Sequence, residues 1–284
     1  MHTLTATSTA EPRVMVSDEL VFPEGLRWQR GQLWCSDIFA RRVLKIAPDG
    51  RVEVVAEFDD WPSGLGFLPD GTPIVVLMRE RRIVRLEGPR QVLHADLRPL
   101  IPEGAVANDM VVDDAGRAYI GGGHGSIVTV DAAGRARLAA AGVPSANGLA
   151  ITEDGRELLY AATSEQAIVS ASIAPGGELS NLREAVAVAP HAPDGICLDA
   201  QGRIWLGGLE TRTFACVSPD GGIHETVWVG PRLAVACVLG GPDRRTLFMA
   251  TAEAELATLV ETEGADSRGA ILMARVGVAG AGKP

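Results

Sequence analysis

Five side chains able to bind a hard cation or move a proton recur in one sequence frame. Glu24 sits in PEGLRW, Ser63 in PSGLGF, Asn108 in ANDMVV, Asn147 in ANGLAI and Asp194 in PDGICL. A looser sixth copy, VACVLG, carries Ala236 in the equivalent place. Successive copies lie roughly forty residues apart, a period that belongs to repeat architectures. If a fold brings the five together, Glu24 and Asp194 repel across a narrow space unless one is protonated or a cation lies between them. Oxygen-only donors suit one divalent metal ion, calcium first, with magnesium, manganese or zinc next. Taken singly, each position has a plainer reading, because Asn-Gly and Asp-Gly are also common turn dipeptides. The shared register of all five favours a metal site.

The elements that must position these residues are short strands. After each frame comes a turn signal and a second apolar segment, as in LPDGTPIVV, VDDAGRAYIGG, TEDGRELLYAA and LDAQGRIWLGG. Asp-Gly-type turns between β-branched and aromatic runs mark hairpins. A third and fourth segment follow, as in RRVLKIAPDGRVEVVAEF, so each repeat reads as a four-stranded antiparallel meander. Six such blades around an axis make an all-β, six-bladed β-propeller, which leaves only short, protected edges. The first strand of each blade lines the central channel, which sends the five frame side chains to one mouth. A glycine after Glu24, Ser63, Asn147 and Asp194 fits crowded backbone near that axis.

The last repeat runs out before a fourth strand, while RVMVSDELVF at 13–22 is a spare strand ahead of the first frame. The N-terminal strand is therefore expected to close the last blade. Residues 1–12 read as a flexible leader and 13–280 as a single propeller domain. The stretch AEAELATLVETE at 252–263 allows a short helix or a long loop.

The longest apolar runs fall far short of a membrane span, and the N-terminus lacks a basic segment followed by an apolar one, which points to a cytoplasmic protein. A net charge of −10 argues against nucleic acid or an anionic membrane as partner and leaves a small-molecule substrate; oligomeric state is not legible. Cys35, Cys197, Cys216 and Cys237 have no ligand-like spacing and read as reduced structural thiols.

From PEGLRW through ANDMVV, ANGLAITEDG and PDGICLDAQGRIWLGG to GGPDRRTLFMAT, nearly the whole chain resembles the senescence marker protein/gluconolactonase/regucalcin-like family of six-bladed propellers. The resemblance implies metal-dependent lactone hydrolysis, with Glu24, Asn147 and Asp194 on the ion and Asn108 toward substrate. Ser63, on the same ring, is a further candidate substrate contact. Asp194 is the candidate general base, with His124, flanked by glycines, as a proton shuttle or donor. The chain departs from the pattern where sugar-lactone members resemble one another in an arginine two residues before the asparagine: here that residue is Val106. GGGHGSI also lacks the acidic side chains that such members often carry. Arg79, from the neighbouring blade, is a candidate replacement for the lost cation. Hydrolysis of a lactone or related cyclic ester, and not of a highly hydroxylated sugar lactone, is the expected function. The alternatives are metal-assisted hydration, isomerisation or ring opening of another carbonyl compound, or a non-catalytic binding propeller.

Overall fold

The computed structural model describes residues 11–123, 125–143, 145–281 and 283, without the side chain of residue 18. Among the described residues there is no helix, and twenty-four strands form six antiparallel four-stranded sheets. Each sheet is one blade. The inner strands, Pro23–Gln29, Pro62–Phe67, Met110–Val112, Ala146–Ile151, Pro193–Leu198 and Leu233–Gly240, each touch the next, and the last touches the first. The architecture is the expected six-bladed β-propeller.

Blades pack face to face, so hydrophobic cores lie between them. Val111, Tyr119 and Ile127 of blade 3, for example, pack with Leu149, Ile151 and Tyr160 of blade 4. Inner strands are buried on both faces and read as continuous apolar runs, as in Leu233–Gly240. The outermost strand Val52–Glu57 is only partly covered. All four cysteines are free and buried, with the Cys197 and Cys237 sulfurs 3.8 Å apart.

Closure of the ring follows the sequence. Strand Arg13–Leu20 pairs antiparallel with Arg268–Arg275 and completes blade 6, so the last blade joins both ends of the propeller. Val16, Leu20 and Phe22 enter the core between blades 6 and 1. Residues 254–267 run through turns instead of a helix, with Leu259 buried and Gly264 seated on the Phe39 ring.

The chain past Arg275 was not anticipated from sequence. It crosses the far face of the ring, where Gly280 N donates to Arg244 O, Ala281 N to Leu198 O and Lys283 N to Ile151 O. Lys283 Nζ then reaches the Asp114 carboxylate of blade 3 at 2.5 Å. No helix among the described residues is long and apolar enough to cross a membrane.

Candidate active site

The six frames open the inner strands at one face of the propeller, and irregular pairing turns their side chains toward the axis. Register shifts interrupt the first hairpin between Glu24 and Arg27, Pro62 and Leu65, Ala146 and Leu149, Pro193 and Ile196, and Ala234 and Ala236. In blade 3 the paired strand starts only at Met110, leaving Asn108 just ahead of the ladder. An irregularity of this kind bends the strand and re-aims the side chain it carries. Glycine follows because the backbones converge: a Cβ on Gly148 would lie 2.3 Å from the Asp194 carbonyl oxygen.

Four of the five frame side chains are joined by directed hydrogen bonds. Ser63 Oγ donates to Asn108 Oδ1 at 2.8 Å, and Asn108 Nδ2 donates to Asn147 Oδ1 at 2.9 Å. Asn147 in turn hydrogen-bonds the Asp194 carboxylate. Glu24 joins the group electrostatically, since Asp194 acts on its carboxyl. Glu24 and Asp194 are 5% and 7% exposed, whereas Asn108 and Asn147 are half-buried and open toward solvent.

Burial dominates the electrostatics. Desolvation, followed by the charges of Asp194 and Asp109, holds the Glu24 carboxyl well above the usual carboxylate range. Desolvation and then Asp109 push Asp194 up to about 8, against the opposing hydrogen bond from Asn147. The nearest balancing cation, Arg27, is paired at 3.4 Å with Asp109. The mouth therefore holds more buried carboxylate than positive charge. Two carboxylates and the amide oxygen of Asn147, which keeps a second lone pair beside its bond from Asn108, form a donor set that fits an oxygen-preferring divalent cation. Among the described residues, no three His, Cys, Asp or Glu side chains meet as a metal-binding group, so the set depends on its amide.

Sequence reasoning missed Asp109 and Arg27, although both break the frame. Asp109 stands where four other copies have glycine, and Arg27 where they have Gly66, Val111, Ala150 and Cys197. The two anomalies meet. Asp109 accepts from Met110 N at 2.7 Å and Leu149 N at 3.3 Å, besides its ion pair. Arg27 also donates to the carbonyls of Leu26 and Met110. His191 was missed as well: it is buried three residues before Asp194, with Nδ1 2.7 Å from Thr211 Oγ1, and desolvation lowers its pKa.

Arg79 and Val106, the other described candidates, lie apart from this chain of bonds. Arg79 stacks 4.2 Å over the Trp61 ring, donates to Asp60 at 3.0 Å and to Glu263 at 3.3 Å, and is 41% exposed. Val106 is half-buried in the loop leading to Asn108. Asp37 accepts from Val21 N and Phe22 N and caps the entry to blade 1. His124 lies outside the described residues.

The chain is 26% identical over 263 residues to a 6-deoxy-6-sulfogluconolactonase of Pseudomonas putida, covering 89% of each protein. It is 25% identical over 274 residues to a pentonolactonase of Haloferax volcanii, covering 92% of each. Among solved structures, the calcium-binding protein regucalcin of Agrobacterium tumefaciens superposes with a TM-score of 0.81 at 19% identity, over 98% of this chain and 99% of that one. That likeness shows the fold. The family model described as the SMP-30/gluconolactonase/LRE-like region matches residues 22–253. With all six frames inside that match, the chain belongs to the SMP-30/gluconolactonase/LRE-like family.

Proposed function

We propose that this protein hydrolyses a lactone at the mouth formed by Glu24, Asn108, Asn147 and Asp194, with a divalent cation, calcium first, held by Glu24, Asn147 and Asp194. The observation that carries the reading is the excess of buried carboxylate beside a hydrogen-bond chain that ends on Asp194. The relatives named as lactonases, alike along nearly their full length, support the same reaction class.

In this reaction water adds to the ring carbonyl, the ring C–O bond breaks and a hydroxy acid leaves. A bound cation supplies a Lewis acid that polarises the carbonyl and carries its developing negative charge. In its ionised form, which Asn147 favours, Asp194 accepts the proton of the attacking water. Asn108 spends one N–H on Asn147 and keeps the other for a substrate oxygen, while Ser63 holds the amide in that orientation. Arg79 retains N–H groups beyond its bonds to Asp60 and Glu263 and is a candidate contact at the rim, with His124 a further proton carrier.

Val106 sets the preference among lactones. Valine offers a substrate hydroxyl no partner, and an unpaired buried hydroxyl costs about 1–3 kcal/mol. Hydroxyl-poor lactones are thus favoured here, unlike the sugar lactones in the names of the two relatives. A panel of aliphatic lactones, gluconolactone and simple esters, assayed with chelated protein and again after calcium or manganese is restored, tests the proposal. Turnover of a lactone only in the restored protein is expected; absence of lactone turnover under every metal condition refutes it.

A further inference from the structure

Behind the candidate active site, at the opposite end of the channel, lies a cavity of about 1120 Å³. The ends of the inner strands of blades 1, 2, 3 and 6 bound it, and Lys283 of the C-terminal tail stands at its edge. This volume suits a drug-sized organic molecule, and its walls have the mixed character of a ligand site. One wall is aromatic: Trp28 and Phe248 stack with centroids 5.1 Å apart, flanked by Phe67 and Met273.

The polar part of the lining is cationic. Arg27 reaches it from the channel interior, and Arg30 and Arg244 stand at the exposed rim. Neither Arg30 nor Arg244 forms an ion pair among the described residues. Both acidic residues in the lining are already neutralised, Asp113 by Arg117 at 2.7 Å and Asp114 by Lys283. In a chain of net charge −10, two guanidinium groups without an ion-pair partner at the rim of a cavity with an aromatic wall form a local positive site. Guanidinium binds carboxylate through paired, charge-assisted hydrogen bonds, which an ammonium ion cannot match in geometry.

We propose that this cavity is a second ligand site, separate from the lactone mouth, for an aromatic carboxylate. The ring system lies against Trp28 and Phe248, and the carboxylate is taken by Arg30 and Arg244. Arg27 forms the inner end of the cavity and keeps the ligand apart from the active site, because its guanidinium is committed to Asp109 and the Met110 carbonyl. The proposal does not depend on lactone hydrolysis.

The test is isothermal titration of the full-length protein with 2-naphthoate and with its neutral isostere 2-naphthamide, both in chelator and with added calcium. Saturable naphthoate binding is expected in both conditions, with naphthamide at least about tenfold weaker, a loss of about 1.4 kcal/mol. Changing both rim residues, Arg30→Gln with Arg244→Gln, should cost a similar factor; both side chains are exposed, so the fold is expected to survive. Glu24→Gln should leave naphthoate binding intact. No saturable binding, equal affinity for the amide, binding untouched by the double rim variant, or binding abolished by Glu24→Gln would each overturn the proposal.

Discussion

At the scale of single residues, the chemistry rests on carboxylates that the fold keeps out of water with too little positive charge nearby. That arrangement has a cost when no cation is present. The folded-state pKa of Asp194 is raised to about 8 and that of Glu24 is raised as well, so each binds its proton more tightly folded than unfolded. Below the unfolded pKa both states are protonated and nothing is lost. As pH climbs from about 4 toward 8, the unfolded chain ionises first and metal-free stability falls. Metal-free protein should therefore melt at a higher temperature at pH 5 than at pH 8, and Asp194→Asn should flatten that difference; an equal slope in wild type and variant would count against the assignment. Val106 permits a second prediction at this scale. Val106→Arg should raise kcat/KM for gluconolactone relative to an aliphatic lactone, measured at saturating metal after subtraction of spontaneous hydrolysis, and an unchanged ratio would remove Val106 as the source of preference.

At the scale of elements, the inner strands were legible because their apolar runs and Asp-Gly turns repeat in register. Glu24, Ser63, Asn108, Asn147 and Asp194 could be placed at one mouth from that repeat alone. The pairing irregularities that aim them could not, since a one-residue shift leaves no mark in composition. Asp109 and Arg27 escaped for a related reason: each looks like an error in its own repeat, and only contact across the channel shows that one compensates the other. The turn-rich 254–267 segment was ambiguous because its apolar residues fit helix and loop equally. Strand convergence yields a mutational test. Gly148→Ala places a methyl group against the Asp194 carbonyl, where backbone and not a flexible side chain must give way. A loss of about 1–3 kcal/mol in stability is expected, together with weakened metal binding, because both neighbours of the clash are candidate ligands. Unaltered calcium affinity in a folded variant would show that the glycine serves packing only.

At the scale of the whole molecule, both ends of the chain fasten the ring. The first strand completes blade 6, which the sequence suggested through one missing and one spare strand. The C-terminal tail ties blade 6 to blades 5 and 4 through irregular backbone bonds that carry no hydrophobic period, and to blade 3 through the Lys283–Asp114 ion pair. Deleting residues 1–22 removes Val16, Leu20 and Phe22 from the core at about 1.5–3 kcal/mol each. With about 2–4 °C lost per kcal/mol in a chain of this order of size, the melting temperature should fall by about 10 °C or more; an unchanged melting curve contradicts the closure. The central claim is that Glu24, Asn147 and Asp194 hold one cation that lactone hydrolysis requires. It is tested most directly by titrating calcium into chelated wild type, Glu24→Ala and Asp194→Ala while following lactone hydrolysis in the same samples. The account predicts that wild-type activity rises in step with one bound calcium per chain, and that both variants stay folded yet neither bind the ion nor turn over lactone. Full activity in either variant, or wild-type activity indifferent to calcium and every other divalent ion tried, would contradict it.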